Sequence, residues 1–146
     1  MPEAQTIRRA REDAREGKAP TTQAGEFVRE EIRHIRQGKH GARSTKQAIA
    51  IALSKARRAG VPLKPPAKGK TSRQTRQRAQ RDYEVGQGRR KTRSSRRQTE
   101  ARINVLRREP RSVASHQALS RQARQSARRR SATSRSAGAR KAGRSR

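Results

Sequence analysis

The chain has 146 residues, of which 41 are Lys or Arg and 11 are Asp or Glu, for a net charge of +30. Only 27% of the residues are hydrophobic and 36% are charged. Such a chain cannot bury enough apolar surface along its whole length to offset the entropy of ordering it, which excludes one large globular core. Cysteine is absent, so disulfides and thiolate zinc sites are excluded as well. No stretch approaches the roughly 20 apolar residues that a spanning helix needs. Residues 1–17 also lack the apolar run of a signal peptide. A cytoplasmic protein without stable membrane insertion is expected. The natural counterpart of so large a positive charge is a polyanion. Arg far outnumbers Lys, and its planar fork suits phosphate and base stacking, which favours nucleic acid.

Residues 1–17 read as a thin, marginal helix, with Pro2 in the first turn and Gly17 as its stop. Ile7, Ala10 and Ala14 form its only apolar stripe. Residues 18–22 read as a short linker, with Thr21 or Thr22 as the next cap. The better pattern follows over 22–37. There Ala24, Phe27, Val28, Ile32 and Ile35 share one helical face. Glu30 and His34 stand four residues apart on that helix and read as a surface pair.

Gly38 to Arg43 reads as a turn, with Gly38 past the helix end. Ser44 and Gln47 have the spacing of a capping box. The helix they open predicts a face of Ile49, Ala52, Leu53 and Ala56, flanked by Ala48 and Ala59, and stops at Gly60 and Pro62. Alanine at 48, 52 and 56 allows close approach of a second helix. Residues 22–60 are therefore an αα-hairpin within a helical unit 1–63. A hairpin this small is marginal alone and is suited to a homodimer or a protein partner.

Residues 64–70, KPPAKGK, form a Pro/Lys linker. Charge changes across it: residues 1–60 carry +7 and residues 61–146 carry +23. Segments 71–84 and 92–109 have helix-permissive composition, and Ser115 can cap a further helix through 130, with Leu119, Ala123 and Ala127 in line. None of these stripes is wide enough for a core, so 71–130 reads as Arg-rich and helix-permissive. Residues 131–146 read as a disordered basic tail. The fold class is mainly α: a helical hairpin with a third helix at its N-terminus, then basic segments that are partly helical to disordered.

The catalytic inventory is poor, and a nonenzymatic protein without cofactor is expected. His34 and His40 lack the H-E-x-x-H spacing and have no Cys beside them, so no metal site is expected either. Gly69-Lys70-Thr71 resembles the end of a phosphate-binding loop, but Lys64 stands where that loop needs Gly. The glycines at 38 and 41 either simply make the turn or, with Lys39, His40 and Arg43, hold one phosphate at the next helix N-terminus. With Phe27 and Tyr83 as the aromatic residues, there is no stacking platform for single strands. Phosphate contacts then dominate over base readout. The expected nucleic-acid contacts are Lys39, His40, Arg43, Lys46, Arg57, Arg58, Arg89, Arg90, Lys91, Arg96, Arg97, Arg121, Arg124, Arg128, Arg129 and Arg130.

Over residues 25–63, the motifs GEFVREEIRHIRQGKHGARS and KQAIAIALSKARRAGV resemble small basic bacterial proteins that carry the DUF6496 domain of unknown function. The stretch RSVASHQALSRQARQSARRR at 111–130 also looks like the tail of some members. Proteins of this group are often labelled plasmid stabilization or histone-like proteins, which implies a DNA-associated role. The resemblance carries no catalytic residues over. The expected function is sequence-nonspecific DNA binding in the nucleoid. The rivals are an RNA- or ribosome-associated protein and an interaction protein whose hairpin docks a partner.

Overall fold

The structure is a computed structural model and describes residues 1–92, 95–130, 140 and 143. Those residues form six α-helices and one 3-10 turn. The helices are α1 (Ala4–Arg15), α2 (Pro20–Arg36), α3 (Thr45–Arg58), α4 (Arg73–Gly86), α5 (Arg96–Arg107) and α6 (His116–Arg129), with the 3-10 turn at Ser112–Ala114. The fold is mainly helical, as the sequence predicts. The expected tail at 131–146 lies outside the described residues, apart from Arg140 and Gly143.

Successive helices α1 to α4 pack against one another, with α3 between α2 and α4. Gly17, Gly38 and Gly60 all take positive φ, so each ends its helix as expected. Ser44 caps α3 by accepting the Gln47 N–H. The Gln47 side chain reaches the Arg43 N–H instead of Ser44, so the box expected there closes on only one side. The complete capping box is at Ser95 and Gln98, opening α5.

Three local expectations are corrected. Helix α2 begins at Pro20 with Ala19 before it, not at a Thr21 or Thr22 cap. Proline is favoured at that position because its missing N–H would have no helical partner there. Pro2 precedes α1, whose N-cap is Glu3, and Ala14 is exposed. The buried line of α1 is Thr6, Ala10 and Asp13, with Ile7 partly buried against the core. On α3 the buried line is Ala48, Ala52 and Ala56, each fully enclosed, while Ile49 and Leu53 lie at its margin.

The core has two patches. One gathers Ala10, Ala24, Phe27, Ala52, Ala56 and Val61, joining α1, α2 and α3. The other gathers Ile32, Ile35, Ala42, Ala48 and Ala114, with Val113 and Leu119 against it. The second patch is completed by residues from beyond the Pro/Lys segment. Main-chain bonds hold that far segment in place: Gly41 N–H donates to the Leu106 carbonyl and Ala42 N–H to the Pro110 carbonyl. The Thr45 hydroxyl donates to the Val113 carbonyl and Arg36 Nε to the Ala114 carbonyl. Helix α4 likewise buries Ala79 and Asp82 against α3.

Two glycines make these approaches feasible. A Cβ at Gly41 would fall on the Glu109 carbonyl, and a Cβ at Gly86 would fall on the Arg57 carbonyl. Both obstacles are backbone and cannot swing aside. Gly41→Ala and Gly86→Ala are each expected to lower unfolding stability by about 2 kcal/mol or more in urea denaturation. Gly25 lies inside α2 with open space where its Cβ would stand. Gly25→Ala should therefore raise stability by about 0.5–1 kcal/mol in the same assay.

Glu3 ties α1 to α2. Its carboxylate accepts from His34 Nε2 at 2.7 Å and pairs with Arg33. The His34 hydrogen bond and the Arg33 charge hold it at about 2, below the ordinary 4.5. The unfolded chain therefore takes up a proton near pH 4.5 that the folded chain refuses until about pH 2. The stability from this group is complete above 4.5 and is lost as pH falls toward 2. The difference in unfolding free energy between wild type and Glu3→Gln should accordingly be largest near neutral pH and shrink through that window.

Candidate nucleic-acid interface

The seams of this fold take up carboxylates from a chain poor in them. Glu31 pairs with Lys55 across α2 and α3 at 2.6 Å. Asp82 accepts from Arg58 Nε and the Ser54 hydroxyl, both at 2.7 Å, across α3 and α4. Glu30, Glu31, Asp13 and Asp82 are all buried. With these acids turned inward, the outer faces of α4, α5 and α6 are dominated by arginine.

Cations converge in a groove of about 540 Å³ between α3, α4 and α5. Arg58 lines it from α3, Arg78 and Arg81 from α4, Arg90 and Lys91 from the following loop, and Arg102 from α5. Ser54, Asp82, Val85 and Thr92 complete the wall. Asp82 is occupied by Arg58 and Ser54, and Arg90 stands 3.7 Å from Glu84, which leaves Arg78, Arg81, Lys91 and Arg102 to meet an anion from outside. Low-dielectric walls around clustered like charge focus the field and raise the local concentration of a polyanion.

Of the expected contacts, the fold brings Arg58, Arg90 and Lys91 into this groove. Sequence reading missed Arg78, Arg81 and Arg102. Their signal on α4 was the spacing of Arg78, Arg81, Asp82 and Val85, which puts all four on one helical face. Arg121, Arg124 and Arg128 make an exposed stripe along α6, with Arg129 and Arg130 exposed at its end. Arg89, Arg97 and Lys46 are exposed as well, and Arg96 is exposed beside Glu100.

Two expected contacts are corrected. Arg57 is buried and donates through Nε to the Leu63 carbonyl at 3.0 Å. Burial pushes its guanidinium down from the ordinary value, with Asp82 opposing the shift. His40 turns inward, with Nδ1 2.9 Å from the Gly41 carbonyl and Nε2 3.0 Å from Glu31 Oε1. The phosphate cradle considered at 38–43 is also closed. The N–H groups of Gly41 and Ala42 are taken by the carbonyls of Leu106 and Pro110. Lys39 stands 3.5 Å from the Glu3 carboxylate, and Arg43 stands 4.0 Å from that of Glu109. The glycines there serve the turn and the close approach of 109–110.

Among the described residues, no helix is long and apolar enough to cross a membrane. Comparison with protein-family models, with curated proteins and with solved structures returns no match to this chain.

The two classes of arginine should separate by experiment. Arg57→Gln is expected to lower stability by about 1–3 kcal/mol, because it removes a buried donor from the Leu63 carbonyl. The affinity of the folded protein for a polyanion should stay unchanged. Arg102→Gln should do the reverse, and paired urea melts and anisotropy titrations with a DNA duplex distinguish the two.

Proposed function

We propose that this protein binds nucleic acid without sequence preference, gripping duplex DNA by its phosphates in the manner of a nucleoid or linker-histone-like protein. The observation that carries the reading is the groove in which Arg58, Arg78, Arg81, Arg90, Lys91 and Arg102 converge from three helices and a loop. Arginine forks match phosphate oxygens two at a time, and Arg78, Arg81 and Arg102 with Lys91 beside them suit a short run of backbone phosphates. The arginine stripe of α6 extends the contact beyond the groove. The scarcity of aromatic side chains favours duplex over single strands, since stacked bases have little to stack on. A role in plasmid maintenance is the form of this reading that the resemblance over 25–63 suggests.

Neutralising phosphates releases counterions, so affinity must fall with salt. Contact with six or more phosphates predicts a loss of about 10³-fold or more between 50 and 200 mM salt, read by fluorescence anisotropy on duplex DNA. The combined change Arg78→Gln, Arg81→Gln and Arg102→Gln should reduce the slope of log affinity against log salt by about 2–3. Duplex affinity that ignores salt would overturn the reading. A preference for ribosomal RNA over duplex DNA in direct competition would reassign it to RNA.

A further inference from the structure

We infer that the α2–α3 turn holds a divalent metal site of the zinc class, with Glu31, His34 and His40 as its ligands. One ligand atom from each of these residues lies within 4.8 Å of the other two. Glu31 and His34 are three residues apart on α2 and so share one face of it. Gly38, at φ +77, reverses the chain and returns His40 to that face. Sequence spacing hides the site, because its third ligand arrives through a turn and not through a helical repeat.

The hydrogen bonds around His40 define its ring. Its Nδ1 stands 2.9 Å from the Gly41 carbonyl oxygen, which can only accept. Nδ1 therefore carries a proton, and a neutral ring then presents a bare lone pair at Nε2. That lone pair points at Glu31 Oε1, 3.0 Å away. Glu31 is 1% exposed, and Oε1 is buried with no hydrogen-bond partner. Its other oxygen, Oε2, is already taken by Lys55 at 2.6 Å. Two lone pairs facing each other in a buried site need a cation between them. Two ligands each about 2.0–2.1 Å from one tetrahedral Zn²⁺ stand about 3.3 Å apart, close to the separation seen here. A proton could join only two of the three groups, whereas His34 brings a third: its Nε2 donates to Glu3 at 2.7 Å, so the ring nitrogen it offers to a metal is Nδ1. A histidine whose other ring N–H is held by a backbone carbonyl is also the usual arrangement for a metal ligand.

Two imidazoles and one carboxylate suit Zn²⁺, and Co²⁺ serves as its spectroscopic probe. This inference is independent of the nucleic-acid reading, since neither Glu31, His34 nor His40 lines the cationic groove. The test uses the untagged full chain, freed of nucleic acid by nuclease and high salt and stripped with a chelator. Calorimetry should then show one Zn²⁺ per chain and a raised Tm. Co²⁺ should give d–d absorption in the visible range that Zn²⁺ displaces. His40→Gln, at a half-buried turn position, should weaken Zn²⁺ binding by about 100-fold with helicity by circular dichroism retained. Glu31→Gln should do the same where it folds, and His116→Gln, on an exposed residue, should have no effect. Equal Zn²⁺ binding by wild type and His40→Gln would overturn the site. So would ring resonances of His40, by NMR, that report a doubly protonated imidazolium unmoved by Zn²⁺.

Discussion

Each of the three seams that join α1 to α4 in succession is closed by a carboxylate that meets cations from the other side. Glu3 reaches Arg33 and His34 across α1 and α2, Glu31 reaches Lys55 across α2 and α3, and Asp82 reaches Arg58 across α3 and α4. In a chain with net charge +30, repulsion opposes any compact state. Acids spread evenly over the surface would relieve little of it, because exposed pairs are screened by salt and by water. Acids placed at the seams act at short range, and Glu31 and Asp82 do so from buried positions. They also leave the outer faces to arginine, so the same placement that permits folding creates a surface suited to phosphate.

The apolar part of the fold is economical in side-chain volume. Ala48, Ala52 and Ala56 are fully enclosed on α3, and among the largest enclosed side chains are Phe27 and Ile35 of α2. Alanine along one line lets helix backbones come close, so many weak dispersion contacts replace a few large buried groups. The glycines at 41 and 86 extend this logic to places where even a methyl group is too much. A chain with 27% hydrophobic residues thereby closes two core patches across four helices and a returning segment.

The local grammar of this fold was legible in the sequence. Gly17, Gly38 and Gly60 end helices, Ser44 and Ser115 cap them, and the alanine line of α3 faces its partner. Those signals act within a turn or two of helix, where residue type alone decides the geometry. The tertiary pairings were not legible. Asp82 and Arg58 are far apart in sequence and carry no shared period. Glu30 and His34 looked like a surface pair because their spacing says nothing of what covers them, yet both are buried and Glu3 bonds to each of them. The groove had the same fate: Arg58, Arg90 and Lys91 were recognisable as cations, but their convergence depends on α4 docking through Gly86 and Asp82.

Helix α5 shows how the turn and the groove depend on one another. It buries no residue of its own, so its position comes from its end, where the Leu106 carbonyl accepts the Gly41 N–H at 2.8 Å. Arg102 stands four residues before Leu106, about one helical turn away. The backbone contact at the α2–α3 turn therefore places a cation in a groove built mainly from α3 and α4. Whatever steadies that turn steadies Arg102. A polyanion that engages Arg102 together with Arg78 and Arg81 binds the docked arrangement and not the opened one, and by mass action it stabilises the dock at Gly41 in return.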